Sequence, residues 1–85
     1  MDSPPETIGS ARVVQWLTLN PAAPGHSENV SRLAICHSGD EDAFYLFHCD
    51  DLWQVVWDSW HETVEEAVLQ ANSQYRGLSG VWRAV

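Results

Sequence analysis

Between Ser31 and Trp60 three apolar, β-prone runs follow one another almost without interruption, and that spacing constrains the fold more than any other feature of the chain. The runs are Ser31 to His37, Ala43 to Cys49 and Leu52 to Trp60, separated by Ser38-Gly39-Asp40-Glu41-Asp42 and by Asp50-Asp51. Connections this short cannot hold the crossover that parallel strands need, so the three runs must pair as antiparallel neighbours. A loop over Gly39 to Asp42 sets Cys36 opposite Tyr45 and His37 opposite Phe44. A tight turn at Asp50-Asp51 would then set Phe44 opposite Trp57 and Leu46 opposite Val55.

Because side chains alternate along a strand, that register gathers Leu33, Ile35, Phe44, Leu46, Trp53, Val55 and Trp57 on one face, the expected core. The opposite face holds Arg32, Ala34, Tyr45, Phe47, Gln54, Val56 and Asp58. With its two aromatic rings it is expected either to be covered in part by the first strand and the tail or to meet a partner.

A helix should follow directly. Thr63-Val64-Glu65-Glu66 fits a capping box, in which the threonine hydroxyl accepts from the amide three residues on and the glutamate reaches back. The helix then begins at Val64, and Val64, Ala67, Val68, Ala71 and Tyr75 recur at helical spacing as one apolar stripe. Gly77 suits the residue that ends a helix, while Glu65 and Glu66 near the start and Arg76 near the end complement its dipole.

Upstream, Ala11 to Leu19 reads as a first strand that stops at Asn20-Pro21, and Pro21 to Asn29 reads as a loop. Val81 to Val85 is apolar enough to dock as a short last strand or as a tail over the sheet. Residues 1–10, with Pro4, Pro5 and Gly9, have little to bury and read as a flexible tail. A chain of 85 residues has room for one core. The expectation is therefore a single α+β domain over 11–85, an antiparallel meander of three to four strands with one C-terminal helix packed on one face.

Charge narrows the partners. Four Lys and Arg against twelve Asp and Glu give a formal net charge of -8, which repels nucleic acid and anionic lipid and favours either solubility or a basic partner. No run approaches the roughly 20 apolar residues of a membrane span. The start Met-Asp-Ser-Pro-Pro-Glu also lacks the basic and apolar stretches of a signal peptide. Both points lead us to expect a cytoplasmic protein, in which two cysteines stay as free thiols.

The mirrored pairs Cys36-His37 and His48-Cys49 contain the ligand types of a zinc site. Adjacent residues of a strand face opposite ways, however, so no single ion can collect all four while both strands stay regular. Cys49 also lies four positions past the residue facing Cys36, roughly 13 Å along the strand and too far for a disulfide. A reactive thiolate needs a nearby base or cation, and neither cysteine sits in a recognised hydrolase signature. Asp40-Glu41-Asp42 and Asp50-Asp51 lack the spacing of a calcium loop and suit solvated turns.

The stretch Trp57-Asp58-Ser59-Trp60-His61-Glu62-Thr63 concentrates two indoles, an imidazole and two carboxylates at the strand-to-helix junction. There a ring can pin the helix entry or bind a partner. Phosphate loops, paired catalytic carboxylates and a serine triad context are all missing from the sequence.

The reading is a non-enzymatic interaction or regulatory domain with no cofactor and no metal, meeting another protein or a second copy of itself. Tyr45, Phe47, Val56, Trp60 and His61 are the candidate partner-binding residues. The alternative is a small metal- or thiol-dependent protein using Cys36, His37, His48 and Cys49.

From Phe44 to Gly77, the run Phe-Tyr-Leu-Phe, then Trp57-Asp58-Ser59-Trp60-His61-Glu62-Thr63-Val64-Glu65-Glu66-Ala67, Gln70-Ala71 and Tyr75-Arg76-Gly77 resembles a recurrent group of small uncharacterised bacterial proteins. These share a hairpin leading into Trp-His-x-Thr-x-Glu-Glu-Ala. The resemblance implies a compact sheet-plus-helix domain and no particular activity. The hairpin followed by Thr63-Val64-Glu65-Glu66-Ala67 is also similar to HicB-type antitoxins, which implies a domain that binds and silences a toxin. The Pro-Gly-Cys stretch and Gly-Asp pair that usually precede the threonine in that family are missing from this chain.

Overall fold

The computed structural model of the protein describes residues 3–19, 30–39, 42–75 and 82–85. The elements in chain order are β1 (Thr7–Ile8), β2 (Ala11–Thr18), β3 (Arg32–His37), β4 (Phe44–Cys49), β5 (Val55–His61), α1 (Val64–Gln74) and β6 (Arg83–Ala84). They form one antiparallel sheet in the order β1-β2-β3-β4-β5, with β6 added along β2, and a single helix. The α+β class and the C-terminal helix are as expected, but the sheet has six strands rather than three to four.

The extra strand comes from the segment read as a tail. Thr7 pairs with Arg12 and Ile8 with Ala11 across a Gly9-Ser10 turn, and Gly9 sits at φ 63, a conformation glycine adopts without steric cost. Ile8 is buried, so this short hairpin is anchored by one side chain that composition alone undervalued. At the other end, β6 pairs with Gln15 and Trp16, which realises the short last strand. The expected loop over 21–29, and Arg76 and Gly77 at the expected helix end, lie outside the described residues.

The turn between β3 and β4 gives the register that the sequence implies, with Cys36 opposite Tyr45 and His37 opposite Phe44. The next turn does not. Phe44 lies opposite His61, not Trp57, and Leu46 opposite Ser59, not Val55, a slip of four residues in each pair. Asp50 causes it: its Oδ1 accepts hydrogen bonds from the amides of Leu52 and Gln54, both at 2.9 Å, and its carbonyl accepts from Trp53 at 3.1 Å. The aspartate thus organises a wider loop reaching Gln54 in place of a tight turn.

Trp53 occupies a left-handed conformation at φ 63, unfavourable for an aromatic residue. Its ring is held edge-on to Trp16 at 5.9 Å, with the Arg32 guanidinium 5.2 Å from its centroid, and these contacts offset the strain.

Two apolar clusters flank the sheet. Leu17, Leu19, Val30, Leu33, Ile35 and Leu46 pack against Ala67 and Ala71 of α1 and against Tyr75 at its C-cap, with Phe44, Val64 and Val68 at the margin. The predicted helix stripe is therefore the buried stripe. On the other face Ile8, Ala11, Val13, Ala34, Cys36, Phe47 and Cys49 form a second cluster, bordered by Trp16, Tyr45 and Trp53. Three residues expected beneath the helix are elsewhere: Trp53 borders the second cluster, and Val55 and Trp57 are exposed. The slipped register is the reason, because it carries the start of β5 beyond the helix.

Helix entry follows the capping logic. Thr63 Oγ1 accepts from the Glu66 amide at 3.1 Å, and Glu66 Oε2 accepts from the Glu62 amide at 3.0 Å, one residue before the amide a capping box uses. Among the described residues no helix is long and apolar enough to cross a membrane.

Candidate interaction surface

Strand β5 is the last in the sheet order, and among the described residues it pairs with β4 alone. Its seven residues make it longer than the usual strand of about five or six, and no strand among the described residues pairs with its outer row of amides and carbonyls. Natural edges are commonly blunted by Lys or Pro, and β5 contains neither. Instead Val55, Val56, Trp57 and Trp60 are exposed at 43, 48, 48 and 51%.

The two indoles project from opposite sides. Trp57 is opposite His48, and the two rings lie 4.4 Å apart on the helix side. Trp60 is opposite Tyr45, whose ring stacks on Phe47 at 5.6 Å on the far side, and Asp58 is opposite Phe47.

The structure thus brings Tyr45, Phe47 and Trp60 to one face, although Phe47 is buried and Tyr45 half-buried. Val56 is the residue without a register partner at the irregularity between Trp57, opposite His48, and Val55, opposite Cys49. His61 is not with the three rings. It is opposite Phe44 on the helix side, half-buried, with Nε2 at 2.8 Å from the Ser59 hydroxyl. Trp57 is the surface residue that sequence reasoning missed, since a tight turn at Asp50-Asp51 assigned it to the core.

Beneath Trp57, His48 is fully buried, and its Nδ1 is hydrogen bonded to the Tyr75 hydroxyl at 2.9 Å. Burial pushes its pKa down from 6.5 to about 4, against a smaller upward pull from Asp58, so the ring is neutral near pH 7. Nε2 is buried without a hydrogen-bond partner, which adds to the cost of protonating it. Tyr75, the last member of the helix stripe, is what ties the helix end to β4.

The residues of the metal or thiol alternative do not converge. Cys36 and Cys49 are free and buried on the second face, whereas His48 lies on the helix side. His37 lies tilted against Phe44 with ring centroids 5.0 Å apart, and its Nε2 is 3.8 Å from Asp42. Burial, reinforced by Cys49 for Cys36 and by Asp50 for Cys49, pushes each thiol up to about 12, so neither is a nucleophilic thiolate at neutral pH. Among the described residues no group of three or more His, Cys, Asp or Glu could hold a metal ion.

Open clefts occur among the described residues. One of about 400 Å³ is lined by Arg12, His37, Phe44 and Val85, and one of about 440 Å³ by Gln15, Val64, Val68 and Leu69. Neither contains a nucleophile paired with a base.

Comparison of the chain with protein-family models, with curated proteins and with solved structures gives no significant match.

Proposed function

We propose that the domain is a non-enzymatic protein-interaction module that meets its partner along β5. The observation that carries this reading is the long outer strand bearing Val55, Val56, Trp57 and Trp60 half-exposed. Apolar surface of this kind on an open edge is costly to leave in water and is the usual raw material of an interface. The inert thiols and scattered histidines agree with a binding role rather than catalysis. The net charge of -8 argues against a nucleic-acid partner. Free cysteines suit a reducing cytoplasmic setting. The resemblance to HicB-type antitoxins points in the same direction, towards a small domain whose work is to hold another protein.

Site-specific photo-crosslinking in the native cell tests this. A photoreactive residue at Trp60 or Val56 should yield a discrete adduct, while one at Leu69, which is 67% exposed on the helix, should not. An adduct of twice the chain mass would identify a second copy as the partner. No adduct from β5, or equal adducts from Leu69, would reject the reading.

A further inference from the structure

The partner's chemistry follows from the charge around the open edge, given the interaction reading above. Between Leu33 and Tyr75 the sequence has nine Asp and Glu and no Lys or Arg. Asp58 lies at the middle of β5, and Glu62, Glu65 and Glu66 follow at the adjoining helix start, all four exposed. The exposed arginines among the described residues, Arg12 and Arg83, belong to β2 and β6, across β3 and β4 from this edge.

A second copy fits poorly. Antiparallel pairing of two β5 strands about their centres sets Val55 against His61, Val56 against Trp60 and Asp58 against Asp58 of the other copy. Like charges directly opposite destabilise a strand pair, and two chains of net charge -8 would meet with each acidic helix start at the end of the pair where the other copy has Asp50 and Asp51. The arginine-bearing side of a second copy is no better as a strand donor, since the outer side of β2 is already paired with β1 and β6.

We propose that β5 accepts an extended, basic segment of a different protein as an added strand. A Lys or Arg of that segment lies opposite Asp58, on the face that Asp58 shares with Trp60, where a second cationic side chain stacks on that indole, and its apolar side chains pack on Trp57 on the other face. Main-chain hydrogen bonds along the edge supply affinity, alternate side chains supply selectivity, and the acidic surroundings speed association.

The test uses the full chain, isotopically labelled for amide-resolved NMR, with three peptides of roughly nine residues, a usual strand length. The first alternates Arg and Val, the second replaces each Arg with Glu, and the third keeps the Arg-Val sequence but carries N-methyl groups on alternate amides. The Arg-Val peptide should bind and slow the exchange of alternate amides from Val55 to His61. The Glu peptide should bind at least about tenfold more weakly, and the N-methylated peptide, equal in charge, should lose binding. Asp58→Lys should narrow or reverse the preference for Arg over Glu.

Absence of binding, equal affinity for all three peptides, or protection confined to α1 or β2 would overturn the proposal. Crosslinks from β5 in the cell with these peptide results would leave the interaction reading standing and remove only the added basic strand. Loss of the crosslinks would remove the interaction reading itself.

Discussion

Strands β4 and β5 are neighbours of similar apolar content with opposite fates. Phe44–Cys49 reads FYLFHC, and its last four residues are buried; Val55–His61 reads VVWDSWH, and none of its residues is. The difference is positional. β4 has a strand on each side, a helix above and a second apolar cluster below, whereas β5 has β4 on one side and, among the described residues, nothing on the other. Apolar side chains are thus necessary to fill β4 and surplus to the monomer on β5, and surplus on an open edge is what an interface uses.

The comparison can be broken first at its buried side. Leu46, fully buried between sheet and helix, should lose about 2 to 5 kcal/mol of stability on change to alanine, read from urea unfolding midpoints at unchanged slope. A loss under about 1 kcal/mol would mean that β4 is not the centre of the core.

His48 gives the next largest effect, through pH. Its folded pKa of about 4 lies below the ordinary 6.5, so the unfolded chain takes up the proton first. The contribution is fully present above pH 6.5 and is lost as pH falls towards about 4, below which both states are protonated. The loss over that window should be about 3 kcal/mol, and His48→Phe should flatten that part of the profile. A wild-type profile as flat as that of the variant would place the imidazole in solvent.

Tyr75→Phe and Thr63→Ala sharpen the account of how the helix is held. Each should cost about 1 kcal/mol, the first by taking away the hydroxyl bonded to His48 and the second by uncapping α1. Thermal melts resolve changes of this size in a domain of 85 residues. Smallest of all should be Trp60→Ala, under about 1 kcal/mol in stability, while the β5 crosslink and the Arg-Val peptide affinity both fall. A large stability loss there would make Trp60 a core residue.

How far the sequence could be read depends on the chemistry of each turn. The β3–β4 register was legible because its loop is bounded by Ser38 and Ala43, whose amide and carbonyl close it at 3.0 Å. The helix was legible because Thr63 and the stripe from Val64 to Tyr75 state the same boundary twice. The β4–β5 register was hidden in one carboxylate: Asp50 gathers the amides of Leu52 and Gln54, and Trp53 takes a positive φ that its type disfavours. The outcome depends on Trp16 and Arg32, remote in sequence, holding that indole. From it follows the candidate surface, since a slip of four residues turns Trp57 from a core residue into an exposed one. The β1 hairpin had a usable signal in Gly9-Ser10, which a view of residues 1–10 as one flexible tail obscured.

Amide hydrogen exchange of the free protein, compared between β4 and β5, tests the open edge most directly. The account predicts slow exchange throughout the buried part of β4 and, on β5, an alternation in which amides facing β4 are slow and outward ones are fast. Uniformly slow exchange from Val55 to His61 would mean that the edge is already covered, and the surface assigned to a partner would not exist.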